Sequence, residues 1–246
     1  MNGIFSLKSK IAIVTGSARG NGKAIAIGLH EAGATVVGLD ILESESPEQF
    51  ECITCDITDT DNLDKTMDYI INKYEKIDIL VNNAGVSYPN NFLDYPSEDW
   101  DKTYSVNLKA PYELMKRVAI NMKEISSGGS IINITSLNSE IAFPDNPAYV
   151  ATKGALKQLT KSAALDLGKY NIRVNNVGPG YFITDMTKNS WQDPVKHKQR
   201  AEKTALKRWG TPDDLVGVTV FLASSASSYI TGQDIYVDGG WLIKGL

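Results

Sequence analysis

Histidine, cysteine and long apolar runs are scarce in this chain, and each shortage excludes a class of function. Only two histidines occur in 246 residues, too few for a histidine-rich metal site. The chain has 25 Lys and Arg against 29 Asp and Glu, and this net charge of -4 argues against binding nucleic acid through its phosphates. No apolar run approaches the roughly 20 residues that a membrane helix needs. The amino-terminal stretch lacks the apolar centre of a secretion signal, so we expect a cytoplasmic protein with no metal and with neither nucleic acid nor membrane as partner.

The two cysteines, Cys52 and Cys55, have the C-x-x-C spacing of redox-active thiols. Reactive pairs normally lie at a helix N-terminus, where the thiolate is stabilised. Here the flanking apolar residues Phe50, Ile53 and Ile57 favour a strand, on which positions three apart face opposite sides. Two buried structural thiols are the favoured interpretation, and a redox role is the alternative.

Strand and helix patterns alternate along the whole chain. Short apolar runs such as IAIV, TVVGLD and SIINIT are separated by stretches of helical spacing, with helices expected over 104–123, 147–167 and 213–223. No linker, internal repeat or low-complexity tract interrupts this pattern. Strands separated by helices are typical of parallel βα units. We therefore expect one α/β domain over residues 1–246, a doubly wound, Rossmann-like parallel sheet of about seven strands with helices on both faces.

Three glycines fall within eight residues, TGSARGNG at 15–22, directly after the first predicted strand. Glycine costs backbone entropy, so its bare backbone must be needed there. Where such a loop enters a helix at the carboxyl edge of a sheet, backbone amides can hold a pyrophosphate. The spacing G-x-x-x-G-x-G differs from the commoner G-x-G-x-x-G, and a tight turn without a ligand is the alternative.

Asp40, at the end of the second predicted strand, indicates which dinucleotide the loop binds. A carboxylate about 20 residues beyond such a loop can accept hydrogen bonds from the adenosine ribose, and it would repel a 2′-phosphate, which favours NAD. Arg19 argues for NADP, because a guanidinium could pair with that phosphate. We give more weight to Asp40, because a phosphate beside a carboxylate in a partly desolvated cleft is unfavourable. Arg19 is then expected to be exposed or paired with Asp40.

Tyr149 and Lys153 stand four apart in AYVATKG, hence on one helix face, and Ser136 ends the strand pattern IINITS. A tyrosine with a pKa near ~10 serves as a base at neutral pH only if its phenolate is stabilised, and an adjacent ammonium would do so. An ordinary helix that happens to carry a Tyr and a Lys is the alternative.

The order of these motifs resembles that of the classical short-chain dehydrogenases/reductases. TGSARGNG, NNAG at 82–85, Asn107 in YSVNLKA, Ser136, the Tyr149/Lys153 pair and VGPG at 177–180 follow one another as in that family, over the whole chain. Two departures are Asn21, in place of an aliphatic residue, and the segment 41–51, which is too short and acidic for a stable helix.

The resemblance implies roles for individual residues. Tyr149 would be the general acid/base, Lys153 would lower its pKa and bind the nicotinamide ribose, and Ser136 would polarise the substrate oxygen. Asn107 would hold a proton-relay water, so the expected catalytic residues are Asn107, Ser136, Tyr149 and Lys153. The expected cofactor-binding residues are Gly16, Ser17, Arg19, Gly20, Asn21, Gly22, Asp40, Asp56, Ile57, Asn83, Ala84, Gly85, Tyr149, Lys153, Pro179, Gly180, Phe182 and Thr184.

The expected function is an NAD(H)-dependent oxidoreductase that moves a hydride between nicotinamide and a secondary alcohol or ketone. In the family the pocket is formed after the serine, after NNAG and by a substrate-loop region, here about 181–208. These segments offer polar groups, and basic residues that could meet an anion, which favours a small polyol, sugar or sugar acid, similar to the substrates of the family's gluconate-type dehydrogenases. The groups are Asn90, Asn91, Asn138, Glu140, Asp145, Asn146, Lys188, His197 and Arg200. That many of them face solvent is the alternative.

Two other functions stay open. A 3-oxoacyl-thioester (acyl carrier protein) reductase would use NADPH, and a non-catalytic dinucleotide-sensing regulator could share the fold. The apolar C-terminal residues Trp241, Leu242, Ile243 and Leu246 need a packing partner, and the resemblance suggests a homotetramer in which such segments pair. Packing within their own subunit is the alternative.

Overall fold

The computed structural model of the chain describes residues 3–43 and 49–244. At its centre lies a parallel sheet of seven strands in the order β3-β2-β1-β4-β5-β6-β7. The strands are β1 Ile11–Thr15, β2 Thr35–Asp40, β3 Glu51–Thr54, β4 Ile79–Asn82, β5 Gly129–Ile134, β6 Ile172–Pro179 and β7 Asp234–Val237. The predicted doubly wound α/β fold and its number of strands are confirmed.

Helices cover both faces of the sheet. They are α1 Gly20–Glu31, α2 Thr60–Tyr74, α3 Ser97–Tyr104, α4 Ala110–Glu124, α5 Pro147–Leu167, α6 Lys188–Trp191, α7 Pro194–Lys203, α8 Val216–Ala223 and α9 Trp241–Lys244. A 3-10 turn, Pro212–Leu215, leads into α8, so the helix expected over 213–223 is α-helical only in its second part.

The helix expected over 104–123 is wrong at its start. Helical structure begins at Ser97, and a π-helical turn, Ser105–Lys109, joins α3 to α4. Pro96 precedes the first turn, and Glu98 and Asp99 lie within it, where carboxylates interact favourably with the helix dipole. These polar residues start a helix that the apolar pattern alone does not show.

Alternate residues of the strands supply two separate cores. In β1 all five residues are buried. Ile13 packs with α2, α4 and α5 on one face, while Ala12 and Val14 pack with α1 and α8 on the other. Because side chains alternate along a strand, a strand covered on both faces must be apolar throughout, and this explains the run IAIV.

The strand order reverses between β1 and β4, which are neighbours in the sheet. The chain leaves β1 toward β2 on one side and later continues from β4 toward β5 on the other. A crevice opens at the carboxyl ends of the strands at such a reversal, and doubly wound folds bind ligands there. The glycine loop after β1 and the NNAG segment after β4 both border this crevice.

The cysteines take up the two sides of the sheet, as expected. Cys52 lies within β3 and packs against the core of α1 and α8, whereas the buried Cys55 follows the strand and belongs to the other core. No disulfide joins these two residues. Burial raises the pKa of the Cys55 thiol, which opposes thiolate formation. Cys52 is only half-buried. Of the two thiols that were expected to be buried, only that of Cys55 is.

Two of the segments discussed from the sequence, the acidic segment and the C-terminus, lie partly outside the described residues. Of the acidic segment 41–51, residues 44–48 are not described, and neither is Leu246 at the C-terminus. Trp241 is buried against Phe143 and Tyr181 of its own chain, whereas Ile243 is exposed. The C-terminal segment therefore packs partly within its own subunit.

Candidate active site

The glycine loop can accommodate only glycine at two of its positions. Gly16 has a φ of +68°, in the left-handed region. Gly22 approaches the loop so closely that a Cβ would lie 1.9 Å from the carbonyl oxygen of Gly16. The side chain of Asn83 fixes the same turn, because its Nδ2 donates to the carbonyl oxygens of Thr15 and Gly16 at 2.9 and 3.2 Å.

Thr15 joins the loop to the NNAG segment and is a site residue that the sequence analysis missed. Its Oγ1 accepts hydrogen bonds from the backbone amides of Asn83 and Ala84, both at 3.0 Å. Gly85 continues this segment toward the catalytic residues, since a Cβ there would lie 3.3 Å from Asn107 Oδ1 and 3.8 Å from Lys153 Nζ. A threonine that ends a strand beside a glycine loop is the signal that could have revealed this contact.

The residues of the loop fit an anionic dinucleotide. The buried atoms Ser17 Oγ and Asn21 Oδ1 have no hydrogen-bond partner within residues 3–43 and 49–244. Buried polar atoms are usually paired, so both atoms indicate a group that the protein itself does not supply. Helix α1 begins at Gly20 and has no acidic residue in its first turn, which leaves its N-terminus favourable for a phosphate.

Asp40 and Arg19 are not paired with each other, contrary to one of the two expectations. The carboxylate of Asp40 accepts hydrogen bonds from the backbone amides of Ala18 at 2.9 Å and Leu42 at 3.0 Å. Arg19 instead forms an exposed ion pair with Asp185 at 3.0 Å. The negative charge at the end of β2 is therefore held in place, while Arg19 is turned toward the segment that follows β6.

Residues 179–184, which run from the end of β6 to the residue before Asp185, lie against the glycine loop. A Cβ at Gly20 would be 3.8 Å from Thr184 Cγ2. Gly180 donates its backbone N–H to Val237 at 2.9 Å, which holds the segment against β7. The ring of Phe182 is buried in the core and packs on Gly210, so only the backbone of this predicted cofactor residue is available to a ligand.

Asp56 and Ile57 follow β3 along the same edge of the sheet. The carboxylate of Asp56 accepts hydrogen bonds from the backbone amide and the hydroxyl of Thr58, and its own amide donates to Asn62. Ile57 is buried in the core. The two residues lie beyond the carboxyl end of β3, two strands away from β1, with the Asp56 side chain engaged in a local turn.

Helix α5 carries Tyr149 and Lys153 on one face, beside Ser136. Lys153 Nζ lies 5.6 Å from the centroid of the Tyr149 ring. It also donates a hydrogen bond to the carbonyl oxygen of Ile134, at the end of β5, at 2.7 Å. Ser136 follows that strand by two residues, and its hydroxyl acts on the Tyr149 phenol by lowering its pKa. The structure thus brings together the three residues predicted to act on the substrate.

Burial changes the acidity of both groups on the helix. It raises the pKa of the Tyr149 phenol, and the hydrogen bond with Ser136 opposes this rise. It lowers the pKa of Lys153 to about 8, because a buried ammonium is poorly solvated. That Lys153 lowers the pKa of Tyr149 stays a prediction, because the two causes that act on this phenol here are its burial and its contact with Ser136.

Asn107 lies in the middle of the π-helical turn and is fully buried. Its side chain exchanges two hydrogen bonds with Val86: Nδ2 donates to the carbonyl oxygen at 2.9 Å, and Oδ1 accepts from the amide at 2.8 Å. These two hydrogen bonds fix the orientation of the Asn107 side chain and tie the π-helical turn to the segment that follows Gly85. Single π-helical turns inside α-helices are common at functional sites.

Of the six polar residues proposed for the pocket wall, Asn138 contacts the candidate residue Ser136, and Asn146 stands at the N-cap of α5, three positions before Tyr149. Asn138 Oδ1 accepts a hydrogen bond from Ser136 Oγ at 3.3 Å, and Asn146 Nδ2 donates to Ser87 Oγ at 2.6 Å. The others turn elsewhere: Asn90 donates to the carbonyl oxygen of Asp94, and Asn91, Glu140 and Asp145 are exposed. The alternative that many of these residues face solvent is thus partly right.

Two further features of the described residues concern metal sites and membrane-spanning helices. In the part of the chain that the structure describes, no group of three His, Cys, Asp or Glu could hold a metal ion. None of the helices in those residues is both long enough and apolar enough to cross a membrane.

Known proteins resemble this chain over nearly its whole length. The model of the family described as Enoyl-(Acyl carrier protein) reductase matches residues 16–242. The chain is 37% identical to 2-dehydro-3-deoxy-D-gluconate 5-dehydrogenase of Escherichia coli over 248 residues, covering 98% of each protein. It is also 37% identical to the NAD-dependent glycerol dehydrogenase of Listeria innocua over 247 residues, covering 98% of this chain and 96% of the relative.

A solved structure agrees with these relatives. Gluconate 5-dehydrogenase from Burkholderia cenocepacia, in complex with NADP and tartrate, superimposes with a TM-score of 0.91 at 33% identity, covering 98% of both chains. The fold of this chain and its sequence similarities lead to the same conclusion: the chain is an oxidoreductase that belongs to the short-chain dehydrogenase/reductase family.

Proposed function

We propose that the protein is an NAD(H)-dependent dehydrogenase that interconverts a secondary alcohol and a ketone on a small polyol, sugar or sugar acid. The observation that carries this proposal is Asn146 Oδ1, a buried acceptor without a hydrogen-bond partner among the described residues, three positions before Tyr149. An unpaired buried acceptor is unfavourable, and a substrate hydroxyl would satisfy it. The similarity to enzymes named for gluconate derivatives and for glycerol supports the same class of substrate.

The proposed chemistry divides the work between the residues of α5 and the strand before it. A bound nicotinamide dinucleotide supplies the group that accepts or donates the hydride. Tyr149 takes the proton of the substrate hydroxyl during oxidation and returns it to the carbonyl oxygen during reduction. Ser136, whose hydroxyl acts on the Tyr149 phenol, holds the same substrate oxygen. Lys153, buried under the Tyr149 ring, places a cation beside the phenol while it remains protonated.

The preference for NAD over NADP rests on the fixed position of Asp40. Its two backbone donors, at 2.9 and 3.0 Å, keep the carboxylate at the end of β2, where the 2′-phosphate of NADP would approach it. Arg19, the residue that could pair with that phosphate, is engaged by Asp185. This arrangement supports NAD. The relatives differ in cofactor, since the glycerol dehydrogenase is named as NAD-dependent and the gluconate 5-dehydrogenase was solved with NADP.

The two alternative functions have less support. A reductase of long acyl thioesters would need a wide apolar wall, whereas Asn138 places its amide against Ser136 and Asn146 has a buried acceptor without a partner among the described residues. A non-catalytic sensor has no need of Tyr149 and Ser136 placed together beside a buried Lys153.

We also propose a homotetramer, as the family resemblance suggests. Phe92, Leu93 and Leu165 are 79%, 91% and 84% exposed, and a second subunit would cover such apolar side chains. A monomer mass by light scattering would contradict this assembly. The cytoplasmic location stays a prediction from the sequence.

Initial rates with a substrate panel test the proposal. We expect NAD⁺ reduction with D-gluconate, D-glucitol or glycerol, and much slower reaction with cyclohexanol or with acetoacetyl-coenzyme A in the reverse direction. Activity confined to cyclohexanol or the thioester would contradict the polar substrate and leave the family assignment intact. A higher kcat/KM with NADP⁺ than with NAD⁺ would contradict the assigned cofactor.

A further inference from the structure

We propose that Arg200 binds the carboxylate of a sugar-acid substrate and so makes the enzyme prefer acids to neutral polyols. This inference rests on the proposed function and names one contact within its substrate class.

Arg200 lies in α7 and is half-buried above two aromatic rings. Its guanidinium carbon is 4.7 Å from the centroid of the Tyr181 ring and 5.8 Å from that of Trp209. These two rings, 5.5 Å apart, form what we call the aromatic platform. Tyr181 follows Gly180 at the carboxyl end of β6, so the platform lies at the sheet edge where the cofactor segment begins. The platform orients the guanidinium without using its hydrogen-bond donors.

The aromatic platform continues into the loop that carries the catalytic residues. The ring of Tyr181 lies 6.2 Å from that of Phe143, which stands between Ser136 and Tyr149 in the chain. Trp241 packs on both rings, at 6.2 Å from Tyr181 and 5.3 Å from Phe143. Trp241 is 8% exposed, and its buried Nε1 donor has no acceptor in the described part of the chain. An unpaired indole N–H in this cluster is a second sign of a missing polar ligand.

Arg200 differs from the other arginines of the protein. Within residues 3–43 and 49–244, its guanidinium takes part in no hydrogen bond or ion pair, whereas the remaining four all have polar partners. Their pairs are Arg19 with Asp185, Arg117 with Asp64, Arg173 with Ser227, and Arg208 with Asp214. A guanidinium has five donors in a planar fork that matches a carboxylate, and a half-buried one without an anion is incompletely satisfied.

Of the three basic residues singled out from the sequence in the substrate-loop region, His197 and Lys188 are less suitable than Arg200. His197 stacks on Trp209 with ring centroids 5.5 Å apart, and its Nδ1 lies 3.0 Å from the carbonyl oxygen of Trp191. Trp209 Nε1 in turn donates to the carbonyl oxygen of His197 at 3.0 Å, so His197 serves to hold the aromatic platform. Lys188 is exposed at the start of α6. Arg200 is thus the cation with both a fixed position and free donors.

D-Gluconate and D-glucitol test this contact, because they differ at C1, a carboxylate in one and a hydroxymethyl in the other. We expect Arg200→Gln to raise KM for D-gluconate by about 10- to 100-fold, the range for loss of a charge-assisted hydrogen bond. The kinetic constants for D-glucitol should change by less than about threefold, because only binding of the carboxylate is lost. Arg200→Lys should recover part of the affinity. Lys203→Gln removes an exposed charge from the same helix and should leave the kinetic constants of both substrates unchanged.

The outcomes separate this inference from the proposed function. An unchanged KM for D-gluconate in Arg200→Gln, or an equal loss for both substrates, would overturn the role of Arg200 alone. A wild-type protein that oxidises D-glucitol better than D-gluconate would also overturn the role of Arg200, but it would leave the proposed function as a polyol dehydrogenase intact. A wild-type protein that oxidises neither, but accepts cyclohexanol or the thioester, would overturn both proposals.

Discussion

Gly22→Ala should disrupt the glycine loop through a single methyl group. The added Cβ would lie 1.9 Å from the carbonyl oxygen of Gly16 and 2.5 Å from Asn83 Nδ2, whereas real Cβ contacts essentially never fall under 3.0 Å. The loop or the start of α1 must therefore move by more than an ångström. Overpacking of this kind costs about 1–3 kcal/mol. If the displaced amides are those that hold the pyrophosphate, NADH affinity should fall by about tenfold or more.

Gly217→Ala is the matched control, because a Cβ at Gly217 in α8 would meet nothing within 4 Å. It should raise the free energy of unfolding by up to about 1 kcal/mol, since alanine is the better helix former. Thermal unfolding and titration of NADH fluorescence measure both effects. If Gly22→Ala binds NADH as tightly as wild type, the glycine loop is not the nucleotide site. If Gly217→Ala weakens NADH binding equally, the effect of Gly22→Ala is not specific to the loop.

Two other predictions concern charge. Asp40→Asn should raise the NADPH/NADH ratio of kcat/KM by about tenfold, because it removes a negative charge beside the position of the 2′-phosphate. An unchanged ratio would remove Asp40 from cofactor selection. The pKa of Lys153 is lowered to about 8 in the folded protein, so the unfolded chain binds more protons above that pH and stability rises with pH. Relative to Lys153→Met, the wild-type protein without cofactor should gain about 2 kcal/mol between pH 7.5 and 9.5 in denaturant unfolding, and a flat difference would contradict the buried ammonium.

Much of the fold could be predicted from the sequence because buried parallel strands leave a simple pattern. Each strand is covered on both faces and therefore reads as an unbroken apolar run, and the helices between strands then determine a doubly wound sheet. The sheet edge that gathers Ser136, Tyr149 and Lys153 follows from this topology together with the four-residue spacing on α5. The start of a helix at Ser97 could not be predicted in this way, because its first turn is marked by a proline and carboxylates rather than by apolar spacing.

The contacts that the sequence could not reveal join residues far apart in the chain. The ion pair of Arg19 with Asp185 depends on how the segment after β6 folds over the glycine loop. The aromatic platform under Arg200 likewise requires α7 to pack beside Tyr181, which no periodicity indicates. The raised pKa of Tyr149 reflects burial by surrounding elements, and burial depends on the folded structure rather than on local spacing.

The most direct test of the central claim is the turnover of Tyr149→Phe with the best substrate of the panel. The substitution keeps the ring above Lys153 and deletes only the hydroxyl that is proposed to move the proton. We predict that kcat falls by about 10²-fold or more, while the Kd for NADH stays within about threefold of wild type. A kcat close to wild type, measured with the same substrate and intact NADH binding, would contradict Tyr149 as the general acid/base and with it the proposed mechanism.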